Sequence, residues 1–484
     1  MTAAAAESAS SAPELVIFTK SHGDPLTKRI SLGSDGSVIS DGSQCVMPSG
    51  AARRFRFSTM QAVSEQIAAL QQNEAIATGA LRHGLPERVE VITKSKLNGA
   101  DHPGIIARTH DYIVYRSGQP ALVLVDFDTK GMPVAFADRM AEPGGFCPTL
   151  ASVMPALRNA ARVERASTSA GLFDSRNGQP YQGSGGVHVY ILIADGADAE
   201  RFLKTLHERC WLAGLGWMIV GAGGQLLERS IVDRVCGTPE RLAFEGRPVV
   251  VPPLAQDLAV RIPAAIEGEA IDTKEACPPL NIVDLAKLRD LRAKEAHRLV
   301  GESARVRGVF VDRQARRLSE RAGIDPHQAR KIVERQCNGV LLPDIELPFD
   351  DDSQAGITVS EVLADPVRFE GETLADPLEG VEYGRCKACI MRRADGSVWI
   401  NSFAHGRTTY ELKLDFPAAK AGLRKVGKEE AADALVQFAL GADLDDDEVE
   451  ELRNIASEKT GINKRTLDRK IKSAPRSGSA ARTA

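Results

Sequence analysis

No apolar run in this 484-residue chain approaches the ~20 residues that a membrane-spanning helix needs. The first residues, Met-Thr-Ala-Ala-Ala-Ala-Glu-Ser, lack the basic and then apolar regions of a secretory signal, so a cytoplasmic location is expected. Cysteine is scattered: of eight, only Cys386 and Cys389 stand close together, which argues for reduced thiols and against a disulfide framework. A complete phosphate-binding loop is also missing. Its nearest approach, Gly422 to Gly427-Lys428, ends in Glu429 where a metal-binding hydroxyl is needed, and Gly221-Ala222-Gly223-Gly224 has no lysine. No internal repeat stands out. Nor is the chain a polycation: its formal charge is −4, so a nucleic-acid partner must be met by local basic surfaces. There are two such segments. Residues 287–335 are rich in arginine and lysine with acids interleaved, and the tail from Lys459 carries Lys464, Arg465, Arg469, Lys470, Lys472, Arg476 and Arg482 against the single acid Asp468. The plain alternative is a solvated helix face and a solubilising tail.

What is present fits about two to four domains. Residues 1–12, rich in alanine and serine, are expected to be disordered. Short strands are expected at 15–18 and 27–32, and a helix over 58–72 capped by Ser58. A hairpin is expected from 112–115 through Ser117-Gly118 to 121–128. A helix over 148–161, a strand over 187–194, a helix over 199–212 and a strand over 226–235 follow. This mixture reads as an α+β domain over 13–260 with a mixed or antiparallel sheet. Prolines mark 261–281 as a linker. A basic helical region is expected over 282–342, broken near Gly308, with a helix-turn-helix flavour at 318–335. A small strand-rich module over 343–416 and a helical segment over 417–472 complete the chain, before a disordered basic tail at 473–484. Trp211, Trp217 and Trp399 read as core residues.

The run Val123-Leu124-Val125-Asp126-Phe127-Asp128 places two carboxylates two residues apart, hence on one face of a strand. Two such groups repel and resist burial unless a cation lies between them, and hard oxygens suit Mg2+ or Mn2+. Asp-x-Asp pairs also occur in glycosyltransferases, nucleases and ordinary loop ends. A second element, Gly183-Ser184-Gly185-Gly186-Val187-His188-Val189-Tyr190, sets glycines before a strand, where a phosphate can approach the backbone and His188 can donate to it. A third, Glu228-Arg229-Ser230-Ile231-Val232-Asp233, ends a strand in an acid able to complete a three-carboxylate site.

In this order the three elements resemble the archaeo-eukaryotic primase superfamily. The local words, including Arg241-Leu242-Ala243-Phe244-Glu245-Gly246, are similar to those of primase-polymerases from phages and mobile elements. The resemblance covers about 15–260, with further similarity through 345–415. It implies a primase-polymerase fold and a DNA primase or polymerase activity: two metal ions on Asp126, Asp128 and Asp233, His188 on the phosphates of the incoming nucleoside triphosphate, and single-stranded DNA as template. Gly186 takes the small position before His188; Ser167 and Ser169 line the same site, and Arg241 contacts nucleotide or template. A helicase partner would act in trans. A catalytically idle DNA-binding replication protein and a metal-dependent nuclease remain the alternatives. Cys386 and Cys389 with His405 offer three of the four ligands a structural zinc needs. Docking to nucleic acid or to a helicase is the open role of the module that holds them.

Overall fold

The computed structural model describes residues 12–21, 25–97, 102–129, 131–141, 144–181, 185–393, 395–404 and 409–474. The terminal segments expected to be disordered lie almost wholly outside these residues, as do Gly183, Ser184 and His405. Two compact units are formed, Met1–Ile219 with Glu228–Leu299, and Val220–Leu227 with Val300–Ala484.

In the first unit, strand β1 (Glu14–Lys20) serves two cores, because side chains on a strand alternate between its faces. Leu15 and Ile17 enter one apolar cluster; Val16 and Phe18 enter another. With β2 (Ser49–Arg56), β3 (Glu74–Ala77), β4 (Arg88–Ile92) and β5 (Ile105–Ala107), β1 builds a sheet of order β3-β1-β2-β4-β5. A second sheet, wholly antiparallel, has the order β6-β8-β7-β9, from β6 (Ala121–Phe127), β7 (Arg162–Ala166), β8 (Val187–Ile193) and β9 (Ala264–Ile266). Leu122, Val123, Leu124 and Val125 are buried in succession along β6, so both of its faces are covered, and they share a core with Phe202, Leu203 and Leu206 of the helix Ala199–Leu212. The unit is mixed α and β with antiparallel pairing dominant, as the α+β reading expected.

Several local expectations are corrected. The helix begins at Met60, capped by Thr59, whose hydroxyl accepts from the Ala62 amide; Ser58 lies outside it. No hairpin joins 112–115 to β6, because Ile113–Val114 pairs with Ala80–Leu81 while the Gly118 amide is held by Asp195. Pro155 divides the expected helix 148–161 into Phe146–Val153 and a 3-10 turn, Pro155–Asn159. The stretch 261–281 is not a linker: β9 pairs with β7, and Ile271 and Cys277 are buried in the main core. The helix Ile282–Ala322 runs unbroken through Gly308. A glycine costs a helix only about 1 kcal/mol relative to alanine, and Phe310, Val311, Ala315 and Leu318 anchor this stretch in the second unit's core.

That core packs against a five-stranded sheet of order Val340–Leu341, Thr409–Leu412, Val398–Ser402, Ala388–Arg392, Thr373–Leu374. Buried Asp376 is the sheet's polar anchor, accepting from Ser402 at 2.6 Å, from Tyr410 at 3.1 Å and from the amides of Leu378 and Glu379 at 2.8 Å. Ser402 and Tyr410 therefore bind the sheet's own loop. Among the described residues no group of three ligands gathers at Cys386 and Cys389; the Cys386 amide donates instead to Asp350. Trp211 and Trp217 are core, while Trp399 lies half-buried under Arg393. The helices Phe416–Lys425, Ala431–Gly441, Asp446–Thr460 and Lys464–Ser473 close a separate small core around Leu423, Leu435, Leu452 and Leu467.

Leu122 is fully buried in the middle of β6. Truncating it, Leu122→Ala, is expected to destabilise the first unit by about 2–5 kcal/mol through lost transfer energy and a residual cavity. Denaturant unfolding of the variant beside the parent chain measures this.

Candidate metal and phosphate centre

The register of the second sheet decides which side chains meet. Asp126 on β6 is paired with His188 on β8, and His188 with Arg165 on β7. Directly paired residues present their side chains on the same face, so Asp126, His188 and Arg165 form a row across three strands. Tyr190 follows two residues after His188 on that face.

Glu245 lies over this row, fully buried. Its carboxylate accepts from His188 Nδ1, from the Tyr190 hydroxyl at 2.7 Å and from Arg165 at 3.0 Å, with Arg261 at 3.7 Å. The segment that brings it there is pinned to β3, because Ala243 and Ile76 exchange backbone hydrogen bonds. At Gly246 a Cβ would lie 2.5 Å from the Gln71 carbonyl, so only glycine lets the chain pass. The words Arg241 to Gly246 are thus a clamp around Glu245.

His188 commits Nδ1 to Glu245 and turns Nε2 toward Asp126, 3.5 Å away. Burial opposes its charged form, but Glu245 and then Asp126 outweigh burial and raise its pKa above the usual 6.5. Burial likewise disfavours the charge on Glu245, yet His188, Arg165 and Tyr190 hold its carboxyl well below the ordinary range. Asp126 is shifted the other way. Burial raises its pKa, His188 opposes this, and the neighbouring charges of Asp233 and Asp128 raise it further. Lys28, which sequence reading passed over, is near enough to act electrostatically on both Asp126 and His188.

Asp233 reaches the site from another part of the chain. Its amide donates to the Asp126 carbonyl at 3.1 Å. It does not end a strand, as expected: the strand Leu226–Ser230 stops earlier, and Asp233 caps the 3-10 turn Arg234–Gly237, accepting from the Val235 amide at 3.0 Å. The chain leaves the ladder at Ser230, whose hydroxyl takes the Val232 amide at 3.1 Å and meets His207 Nδ1 at 2.9 Å. His207 Nε2 in turn meets Glu228 at 3.0 Å, and Arg292 donates to the same carboxylate at 2.9 Å. Glu228 and Ser230 therefore position the loop that carries Asp233. Burial works against the charge of Glu228, but the hydrogen bonds from His207 and Arg292 prevail and hold its carboxyl at about 2.

The remaining expected residues are placed as follows. Asp128 lies exposed one residue beyond the end of β6, so the pair does not sit on one strand face as predicted. Gly186 is buried, and a Cβ there would meet the Phe127 carbonyl at 2.8 Å and Ser167 Cβ at 3.2 Å. Close approach of β6 is thus what demands glycine at this position. Ser167 and Ser169 are buried with hydroxyls 3.4 Å apart, and the Ser167 amide donates to the Gly186 carbonyl at 2.9 Å, next to the His188 row. Arg241 lies 3.8 Å from the Asp233 carboxylate and donates to the Val235 carbonyl at 3.3 Å, so it braces the Asp233 turn.

Asp126, Asp233 and Cys236 each present a ligand atom, all within 4.8 Å of one another. The two carboxylates fit a divalent cation: burial and then the neighbouring acids disfavour the charge on Asp126, and a cation would offset both. The thiol adds one softer donor, which suits Mn2+ or Zn2+ better than Mg2+. Comparison of the chain with protein-family models, with curated proteins and with solved structures finds no match, so the chemistry rests on the geometry of this centre.

Two outcomes are expected. Glu245→Ala leaves Arg165 and Arg261 buried without their counter-charge, a loss of about 3–5 kcal/mol measurable by equilibrium unfolding. Glu228, at about 2 when folded against the usual 4.5, contributes stability that is full above 4.5 and lost as the pH falls toward 2. Glu228→Gln should therefore flatten the acid limb of the stability–pH profile in that window while leaving its neutral slope unchanged.

Proposed function

We propose that the first unit is a metal-dependent nucleotidyltransferase of the primase-polymerase type, extending or making primers on a single-stranded DNA template from nucleoside triphosphates. One observation carries this reading. Asp126, His188 and Asp233, three residues distant in sequence, meet at one end of the antiparallel sheet, with Lys28 near by. The order and spacing of these residues resemble primase motifs, and that resemblance supplies the direction and product of the reaction. Their geometry supplies a carboxylate cluster beside two cationic groups.

Asp126 and Asp233, with Asp128 adjoining, would hold Mg2+ or Mn2+. When bound, such ions polarise phosphoryl oxygens and lower the pKa of an attacking hydroxyl. His188, whose charged form Glu245 and Asp126 favour, and Lys28, close enough to act electrostatically on both Asp126 and His188, can hold the triphosphate of an incoming nucleotide. Glu245 keeps the imidazole ring in one orientation with Nε2 turned outward, where it donates when the ring is protonated. Arg241 and the His207–Ser230–Glu228 network hold Asp233 in place while the substrate exchanges. The primer 3′-OH would attack the α-phosphate, its proton passing to water as the bond from the α-phosphorus to the pyrophosphate oxygen breaks, and Asp126 and Asp233, held by the sheet and the loop network, would keep their positions through the exchange.

Primer extension with a single-stranded template, nucleoside triphosphates and Mn2+ or Mg2+ tests the proposal. Asp126→Ala and Asp233→Ala are expected to lower incorporation by at least about a hundredfold, the loss of roughly 3 kcal/mol at the transition state. His188→Ala should cost about 10²–10³ in rate, as for loss of one preorganised donor. Template cleavage abolished by the same variants would identify a nuclease instead. Template binding without turnover in the parent protein would identify an idle site.

A further inference from the structure

Two turns in the second unit, each legible in the sequence as a corner between helices, share one design. Residues 319–325 read Ser-Glu-Arg-Ala-Gly-Ile-Asp, and 457–463 read Ser-Glu-Lys-Thr-Gly-Ile-Asn. In each, the serine hydroxyl donates to the isoleucine carbonyl at 2.7 Å. The glycine takes a left-handed backbone (φ 67° and 77°), and the acid or amide side chain caps the following helix. Both are helix-turn-helix corners.

What the second helix shows to solvent differs. At the first corner, the helix Pro326–Cys337 buries Ala329, Ile332, Val333, Gln336 and Cys337, and its Arg330 pairs with Asp312 and Glu334. It is a core element. At the second corner, the helix Lys464–Ser473 is anchored by buried Leu467 and half-buried Ile471. Arg465, Arg469 and Lys472 follow at i, i+4 and i+7, a single stripe on the side away from Leu467. All three are exposed, and none forms an ion pair among the described residues. The neighbouring cations are engaged, Lys464 with Glu450 and Lys470 with Asp433, and Asp468 is drawn aside by Arg453. The preceding helix carries acids from Asp446 to Glu451 in its first half and Glu458 near the corner; Glu450 pairs with Lys464. Among the described residues none of these acids is paired with Arg465, Arg469 or Lys472.

We propose that this corner is a duplex-DNA-binding helix-turn-helix, with Lys464–Ser473 as the helix that enters the major groove. A cationic stripe complements phosphate charge, and the B-DNA major groove admits an α-helix, whereas that of A-form RNA is too deep and narrow. The exposed face carries no aromatic ring on which single-stranded bases could stack. This surface is independent of the carboxylate centre and does not require that centre to polymerise.

The test uses the full chain and a labelled DNA duplex, titrated by fluorescence anisotropy at several salt concentrations, with the matching single strand and an RNA duplex in parallel. The triple variant Arg465→Ala/Arg469→Ala/Lys472→Ala changes only exposed residues, and circular dichroism checks that its fold persists. Its affinity for the DNA duplex is expected to fall at least tenfold, with the slope of log K against log salt reduced by about 2–3. Asp126→Ala should bind the duplex as the parent does, which separates this surface from the catalytic proposal. Duplex affinity and slope unchanged in the triple variant would overturn the inference. So would a preference for RNA duplex, or a loss confined to single-stranded DNA.

Discussion

A carboxylate in a protein interior costs several kcal/mol unless charged and hydrogen-bonding partners surround it, and Glu245 meets this demand with His188, Tyr190, Arg165 and Arg261. Those partners come from β8, β7 and the segment just before β9, so the group is satisfied only when the antiparallel register is correct. A slip of one residue would turn the row to the opposite face and leave Glu245 unpaired. The clamp from Arg241 to Gly246 and the pairing of Ala243 with Ile76 have their purpose here. Through His188 the same interaction reaches the solvent-facing side, where Nε2 meets Asp126.

On that outer side the balance of charge reverses. Asp126, Asp128 and Asp233 repel one another, and the protein tolerates this by fixing their backbones. Asp126 is held by the sheet, and Asp233 by the hydrogen bond from its amide N–H to the Asp126 carbonyl and by the His207–Ser230–Glu228 network. The inner half of the centre thus sets one carboxylate among Arg165, Arg261 and His188, while the outer half gathers three carboxylates around a single imidazole. The Cys236 thiol beside Asp126 and Asp233 adds a donor atom softer than the carboxylate oxygens.

The second unit uses one local design for two purposes. The same serine, glycine and capping residue bend the chain at 319–325 and 457–463, yet the helices that follow are distinguished by what surrounds them. Burial on a sheet makes one a core element, and solvent on the face opposite Leu467 makes the other a cationic surface.

Local sequence determined a good deal. The strand carrying Asp126, the strand carrying His188 and the helix Ala199–Leu212 were legible because their apolar patterns match the geometry of single elements. Asp126, His188 and Asp233 were singled out because acids and a glycine-fed histidine in that order carry a chemical expectation. Pairing was not legible. Asp128 falls outside the strand, Gly186 and Arg241 serve packing and bracing, and 261–281 belongs to the core, because each outcome depends on a neighbour dozens of residues away. Arg165, Arg261, Lys28 and Cys236 gave no local signal, since an isolated charged residue or thiol reads as surface or filler until a register brings its partners, and Glu245 stood only as one letter of the word Arg241 to Gly246, with no role of its own. The sequence alone marked which residues carry a chemical expectation; strand pairing and loop closure, which act over long chain separations, decided which of them meet.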